Sequence, residues 1–288
     1  MSSGTHLMEK QKSILITGCS TGIGLCCAHE LKKQGYRVFA TARKSEDVAQ
    51  LKSQGFESLM LDLASSESIN LAVDKILKQT NGTLYALFNN AAYGQPGAIE
   101  DLSRSVLQEQ FETNVFGTQE LSNRIIPIMR KQGYGRIIYN GSVLGIISLP
   151  FRGAYNASKY ALEGLADTLR LELYGSGIEV SIIEPGPITS AFRKNAFKKY
   201  QQYINKENSF FKTNYEGMET RLKKKGPAAP FTLPPEAVFK KLLHALESPR
   251  PQAHYYVTFP TYLFGTLKRI LPTKALDWVL RKVSKEEN

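Results

Sequence analysis

Ser13-Ile14-Leu15-Ile16-Thr17-Gly18-Cys19-Ser20-Thr21-Gly22-Ile23-Gly24 is the stretch that decides the fold. Its first five residues, rich in isoleucine and leucine, read as a buried strand. The glycines come next, and a helical pattern then runs to Gln34. Strand, glycine-rich turn and helix in that order make a nucleotide site. Glycines let the backbone turn tightly and approach a ligand, and the helix N-terminus offers unpaired N–H groups to a pyrophosphate. The spacing here is G-x-x-x-G-x-G rather than G-x-G-x-x-G. The candidate cofactor contacts in this turn are Gly18, Ser20, Thr21, Gly22, Ile23 and Gly24.

The same alternation continues outward. Gly35 ends the first helix in the manner of a left-handed cap, and Tyr36 to Thr41 reads as a second strand. A dinucleotide site that uses NAD usually carries Asp or Glu at the end of this strand. Ala42, Arg43 and Lys44 stand here instead. Loss of the carboxylate and gain of a guanidinium suit the 2′-phosphate of NADP, with Arg43 as its contact. Phe56 to Leu61 is a third strand, followed by Asp62 and Leu63. Asp62 either accepts a hydrogen bond from an adenine or caps the next helix. Leu84 to Phe88 is a fourth strand and leads into Asn89-Asn90-Ala91-Ala92-Tyr93-Gly94, where small residues and amides suit a cofactor passing over the backbone. A long helix follows, about Arg104 to Lys131, and contains Asn114; an Asn inside a helix ordinarily faces solvent. Gly135 to Asn140 and Glu179 to Glu184 are the fifth and sixth strands. Ser142 stands just beyond the fifth, and Pro185-Gly186-Pro187-Ile188-Thr189 beyond the sixth.

Between these last two strands runs an amphipathic segment, Arg152 to Tyr174, with Tyr155 and Lys159 four residues apart. On a helix they share a face. A tyrosine alone is a poor acid or base at neutral pH, because its pKa is near ~10. A lysine cation beside it favours the phenolate, so the pair can work as an acid/base unit. The structural alternative is a half-buried tyrosine and a solvated lysine. Strands rich in Ile, Val and Leu alternating with helices imply an α/β fold, a doubly wound parallel sheet of the Rossmann type. The candidate residues all fall at strand C-terminal ends or on the following helices, where such sheets bind ligands.

Composition sets the outer bounds. A chain of 288 residues, 42% hydrophobic and 22% charged, suits a soluble protein of one large α/β domain or two small ones. No apolar run is long enough to span a bilayer, and the N-terminus has no basic-then-apolar signal. Cys19, Cys26 and Cys27 lie close together and suggest neither a disulfide framework nor a zinc site. They read as reduced thiols on one helix, which points to a cytoplasmic protein. His6, His29, His244 and His254 show no metal-ligand spacing, so no metal is expected. The net charge of +11 is unevenly placed. Residues 1–191 hold 18 basic and 18 acidic side chains, whereas residues 192–288 hold 19 and 8. A basic tail serves either as a lid or as a surface for an anionic partner. Without a nucleic-acid motif beside it, it does not indicate nucleic-acid binding.

Taken together, Thr17-Gly18-x-x-x-Gly22-Ile23-Gly24, Asn89-Asn90-Ala91, Asn114, Ser142, Tyr155-x-x-x-Lys159 and Pro185-Gly186 resemble the short-chain dehydrogenase/reductase family in its ordinary, non-extended form. Ser142 precedes Tyr155 by 13 residues, in keeping with that family. Ala92 departs from it, since the family often has glycine there. The segments around Ser142, Arg152, Ser158 and Glu184 are similar to the retinol dehydrogenase and 17β-hydroxysteroid dehydrogenase branch and to bacterial NADPH-dependent aldehyde reductases. The resemblance implies roles. Tyr155 exchanges a proton with the carbonyl or alcohol oxygen, Lys159 lowers its pKa and holds the nicotinamide ribose, and Ser142 polarises the substrate oxygen. Asn114 holds a water that relays the proton. Asp62, Leu63, Asn89, Ala91, Pro185 and Gly186 line the cofactor, and Ile188 and Thr189 anchor its carboxamide. NADPH is the implied cofactor, an apolar aldehyde, retinoid or steroid the implied substrate, and a dimer or tetramer the implied assembly.

Four segments are expected: a flexible start at 1–12, a nucleotide-binding and catalytic core at 13–190, a substrate lid at 191–234, and a last helix, a last strand and basic amphipathic helices at 235–288. Phe192, Phe197, Tyr200, Tyr203, Phe210 and Phe211 either line a bulky pocket or pack the lid onto the body. Pro235 to Leu246 reads as a helix and Tyr255 to Thr258 as the last strand. Tyr262 to Val283 is an amphipathic pair broken by Pro272. Its face of Leu263, Leu267, Ile270, Leu271, Leu276, Val279, Leu280 and Val283 covers the domain's own core or a partner, or lies on an anionic bilayer, which would make the protein peripheral to a membrane. Two other functions compete with the reductase. A non-catalytic NADP sensor or scaffold has no need of Asn114, Ser142, Tyr155 and Lys159 together, and nucleotide-sugar isomerase chemistry fits poorly with so short a chain.

Overall fold

The computed structural model describes residues 11–227 and 229–284. Seven parallel strands form one sheet: β1 (Ser13–Ile16), β2 (Arg37–Ala42), β3 (Glu57–Met60), β4 (Ala86–Asn89), β5 (Gly135–Asn140), β6 (Ile178–Glu184) and β7 (His254–Tyr256). Their spatial order is β3-β2-β1-β4-β5-β6-β7. The chain reverses its direction of travel between β1 and β4. Crossovers to either side of that point leave a crevice beyond the strand C-termini.

Both faces of the sheet are covered, which is why its strands read as continuous apolar runs rather than alternating ones. One face packs against α1 (Gly22–Lys33), α2 (Ser45–Ser53) and α9 (Glu236–Glu247), through residues such as Leu31, Leu51 and Leu242. The other packs against α3 (Ser66–Gln79), α5 (Gly117–Gln132) and α6 (Gly153–Glu172), through Val73, Ile125 and Leu162. Gly35, Gly55 and Gly133 have φ of +85°, +78° and +78°, so the repeated helix stops use the left-handed conformation that glycine allows.

The expected helix from Arg104 to Lys131 is divided. α4 (Arg104–Phe111) passes into a π turn (Glu112–Phe116) before α5 begins. At Gly117 the helix backbone lies so close to the end of β3 that a Cβ would sit 1.7 Å from the Leu63 carbonyl oxygen. Asn114 lies in the π turn and is fully buried, contrary to the ordinary expectation for a helical Asn. A π turn rotates side chains off the 3.6-residue pattern, so sequence periodicity does not report where such a residue points.

The segment expected as a lid contains two helices, α7 (Phe192–Tyr203) and α8 (Lys212–Lys223). Its two ends are pinned together by a bridge between Ile188 and Leu233. The tail forms α10 (Phe259–Ile270) and α11 (Thr273–Val283). The last strand, His254–Tyr256, starts one residue before the expected one, and Thr258 instead precedes α10 as its N-cap. Cys26 and Cys27 lie on α1, but Cys19 lies in the preceding turn, not on the helix. The expectation of a flexible start falls outside the described residues up to residue 10. Gln11 and Lys12 are tied down, Gln11 to the Gly35 carbonyl at 2.8 Å and Lys12 to Glu247 at 2.7 Å.

Candidate active site

The C-terminal ends of β1, β4 and β5 are joined by side-chain hydrogen bonds. The Thr17 hydroxyl accepts from the Asn90 and Ala91 amides at 2.9 and 2.8 Å. Asn90 Nδ2 donates to the Thr17 carbonyl at 2.9 Å, and Asn140 Nδ2 donates to Asn90 Oδ1 at 2.9 Å. Gly18 and Gly22 hold φ of +70° and +62°. A Cβ on Gly24 would lie 2.3 Å from the Gly18 carbonyl oxygen, so only glycine lets α1 start so close to the turn. Thr21, the N-cap of α1, makes no side-chain capping bond, which leaves the first helical N–H groups for another acceptor. Glycine backbone, uncapped amides and a helix dipole form a cradle that fits a dinucleotide's pyrophosphate. Ser20, Thr21 and Ile23 lie in or beside it.

Other expected contacts ring this cradle. Arg43 is exposed at the end of β2, where its charge reaches Tyr93 and Glu109, and Ala42 beside it is buried. Asp62 does not cap α3. Its Oδ1 accepts from the Ala64 amide at 3.0 Å, and Ser65 supplies the cap to the Ser68 amide at 3.2 Å. Asn89 turns away from the cradle, since its Nδ2 donates to Ser122 on α5 at 2.9 Å. Its neighbour Asn90 is the asparagine whose side chain braces the turn. The Pro185 carbonyl accepts from the Val143 amide at 2.8 Å, and a Cβ on Gly186 would sit 2.2 Å from the Thr258 hydroxyl. Thr189 donates its amide to Leu233 at 2.9 Å, and a Cβ on Gly22 would come within 3.1 Å of Ser190. Residues 185–190 thus close over the glycine turn.

Tyr155 and Lys159 do share one face of α6, but their electrostatics differ from the sequence expectation. Lys159 is buried and donates to the Asn140 carbonyl at 2.6 Å, with Nζ 5.6 Å from the centre of the Tyr155 ring. The Ser142 hydroxyl accepts from the Leu144 amide at 3.1 Å and faces the Tyr155 hydroxyl. Burial pushes the tyrosine pKa up to about 12, with Ser142 working the other way. Burial also pushes Lys159 down to about 8, against the charge of Glu163. The tyrosine is thus raised, not lowered as the sequence led one to expect, because burial takes its phenolate out of water. Asn114 Nδ2 donates to the Tyr93 carbonyl and the Ser158 hydroxyl, both at 3.0 Å, and its Oδ1 accepts from the Tyr93 amide at 3.2 Å. The Asn114 side chain ties the loop after β4 to α6.

Above Tyr155 the wall is apolar. Val143, Ile146 and Leu149 from the turn after β5 pack with Tyr155 against Leu267, Leu271, Leu276, Val279 and Leu280 of the tail. Ile270 and Val283 stay exposed, at 67% and 55%, and Leu263 partly so. Among the six lid aromatics, Phe192 meets Tyr155, with ring centroids 5.2 Å apart. Tyr200 is buried with Phe197 and Phe211 against Tyr215, Tyr203 bonds Glu109, and Phe210 is exposed. Thr17 and Asn90 stand in the quoted motifs without a role of their own, and Asn140 is a part of the site that side-chain type and spacing alone did not single out. Its position at a strand end, just before Ser142, is the signal that could have found it.

The glycine cradle, the Ser142–Tyr155–Lys159 cluster and a match of residues 12–201 to the short chain dehydrogenase profile now coincide. The chain belongs to the short-chain dehydrogenase family. This short-chain dehydrogenase, an oxidoreductase, is 45% identical over 271 residues to the uncharacterized oxidoreductase YbbO of Escherichia coli K12, covering 94% of each chain. It is 32% identical to 17-beta-hydroxysteroid dehydrogenase type 1 of Homo sapiens, over 85% of this chain and 77% of that one. A solved short-chain dehydrogenase from Streptomyces avermitilis superposes with a TM-score of 0.73 at 26% identity, covering 96% of each chain.

Proposed function

We propose that the protein interconverts a carbonyl and an alcohol with NADPH, acting on an apolar aldehyde, retinoid or steroid-like substrate. The observation that carries this reading is the Tyr155 hydroxyl, facing Ser142 and set under an apolar wall. The cofactor supplies the hydride when bound, and the chain supplies position and proton. Tyr155, protonated at neutral pH, donates its proton to the carbonyl oxygen during reduction. Ser142 hydrogen-bonds the same oxygen and orients it. Lys159 lies below, between the tyrosine and the Asn140 carbonyl, where its ammonium can hold ribose hydroxyls. Asn114 sets the loop and helix around the pair, in the place from which a bound water would pass a proton toward Lys159. Gly18, Ser20, Thr21, Gly22, Ile23 and Gly24 cradle the pyrophosphate. Arg43 faces the 2′-phosphate, Asp62 and Leu63 flank the adenine, and Ala91, Pro185, Gly186, Ile188 and Thr189, with Asn89 through its backbone alone, line the nicotinamide side.

The tail supports a second element of this reading. No helix among the described residues is long and apolar enough to cross a membrane. The inner faces of α10 and α11 cover the site, while Phe259, Tyr262, Leu263 and Ile270 on α10 and Trp278 on α11 are exposed. Lys268, Arg269, Lys274 and Lys282 lie among them. Such a face suits peripheral attachment to an anionic bilayer, beside the route an apolar substrate would take. Salt-sensitive co-sedimentation with anionic vesicles tests it, and no binding would end it. Light scattering on the same preparation gives the number of copies in the assembly, for which a dimer or tetramer is expected.

The test of the reaction is NADPH oxidation at 340 nm with medium-chain aldehydes, retinal and ketosteroids, run beside NADH. Tyr155→Phe should abolish turnover and leave NADPH affinity nearly unchanged. Appreciable residual turnover would remove Tyr155 from its role. Tight NADPH binding with no turnover on any carbonyl would favour a cofactor-binding sensor.

A further inference from the structure

Tyr155, Lys159, Glu163 and Asp167 follow one another at four-residue intervals along α6 and share one face. The reaction described above uses the first two. Glu163 is partly buried, its side chain 15% exposed, and its Oε1 has no hydrogen-bond partner. That oxygen lies under the turn that carries Ser142. A Cβ on Gly141 would sit 2.9 Å from it, and one on Gly145 2.8 Å. The carboxyl group therefore occupies the space between the Lys159 helix and the Ser142 turn.

On its far side Glu163 meets a second buried carboxylate and an imidazole. His254 Nδ1 lies 3.0 Å from Glu184 Oε1 and 3.7 Å from Glu163 Oε2, and its Nε2 lies 3.1 Å from Asp167. Glu184 is 1% exposed. Other charged or titratable groups face the cluster from each packed element. Arg170 of α6 pairs with Asp167, Tyr256 comes from β7, and the charge of Arg269 reaches Tyr256 from α10. The sequence conceals this arrangement, because Glu163, Glu184 and His254 come from three different elements. One oxygen from each of these two glutamates and a ring nitrogen of His254 lie within 4.8 Å of one another. The imidazolium, bonded to Glu184 and facing Glu163, already supplies the positive charge that the carboxylates call for.

We infer that Glu163 is a positioning residue for the Tyr155–Lys159 pair: one helical turn from Lys159, its carboxyl group braces the Ser142 turn from below and becomes the counter-charge of the Lys159 ammonium as it ionises. This rests on the reading of Tyr155 and Lys159 as the reacting pair. The titration of the groups agrees with the geometry. Burial, with Glu184 adding to it, pushes Glu163 up to about 8, and His254 and Lys159 oppose the rise. Hydrogen bonding to Glu184 holds His254 up at about 9. Lys159, pushed down by burial, is supported by the charge of Glu163. As pH rises through this range, Glu163 ionises and keeps the lysine charged where burial alone would neutralise it.

The decisive measurement needs no turnover. The 13Cε shift of Lys159 is titrated in the cofactor-free protein, in the wild type, Glu163→Gln and Glu163→Asp. Glu163→Gln keeps the shape and loses the charge. It should lower the Lys159 midpoint by about half to one pH unit, or about three- to tenfold in ionisation constant. Glu163→Asp keeps the carboxylate and should restore the midpoint. In the wild type, the 13Cδ of Glu163 and the 13Cε of Lys159 should follow shared transitions, as coupled sites do. A Gln variant with an unmoved Lys159 midpoint and only a lower melting temperature would assign Glu163 to structure alone and overturn the proposal, as would independent titrations in the wild type. With an active enzyme, the alkaline limb of kcat should move down in Glu163→Gln at unchanged NADPH affinity, and an unmoved limb would also overturn it. A wild type that reduces no carbonyl would sink the functional reading and leave the titration to decide on Glu163.

Discussion

The ring of Phe192, the first residue of the lid helix, lies 5.2 Å from the ring of Tyr155 at an interplanar angle of 59°. The same ring covers Gly94, where a Cβ would lie 2.7 Å from Phe192 Cζ. Helix α7 thus reaches Tyr155 through one side chain. Lys199 and Tyr203 of α7 anchor the same helix to Glu109 on α4.

Phe192→Ala should therefore act on substrate choice. The ring is 36% exposed, so its loss removes little of the core and the melting temperature should change little. A pocket contact of this kind is worth roughly 1–3 kcal/mol in discrimination. The expected result is a fall of about tenfold or more in kcat/KM for bulky apolar carbonyls, with a smaller change for short aldehydes. Steady-state kinetics across a chain-length series would show it, and equal losses for all substrates would place Phe192 outside the pocket.

Arg43 governs the cofactor prediction. It stands exposed after β2, where a carboxylate would otherwise disfavour a 2′-phosphate. A charge-assisted contact is worth about 1.5–3 kcal/mol. Arg43→Ala should raise the KM for NADPH about 10- to 100-fold and that for NADH less than about twofold. Equal effects on the two cofactors would argue against a phosphate contact.

His254 sets a pH signature on stability. Its pKa is raised from 6.5 to about 9 in the folded chain, chiefly by the hydrogen bond to Glu184. A raised histidine binds its proton more tightly when folded. Its stabilisation is complete below about 6.5 and disappears as pH rises through about 9. His254→Gln should lower the melting temperature at pH 6 and have little effect at pH 10. The ring is about one-third exposed, so solvent screening reduces the effect to on the order of 1 kcal/mol at pH 6. Melting curves of both proteins from pH 6 to 10 would test the convergence.

The doubly wound sheet was legible because its cause is local. Buried parallel strands require apolar runs, and close backbone approaches require glycine, so Ile14 to Gly24 already announced β1, the turn and α1. Tyr155 and Lys159 were legible for the same reason, since four-residue spacing places two side chains on one face of any helix. What the tertiary structure alone decided is how those groups are solvated and what they touch. Burial is a sum over distant segments, and it turned the expected lowering of Tyr155 into a rise and took Asn114 out of solvent. The same holds for the tail, where Leu276 and Leu280 cover the Ser142 turn while Ile270 and Trp278 face outward. Glu163, Glu184 and His254 meet only because β6 pairs with β7 beside α6. No spacing in the chain encodes that meeting, because it depends on three elements packing together rather than on any one of them.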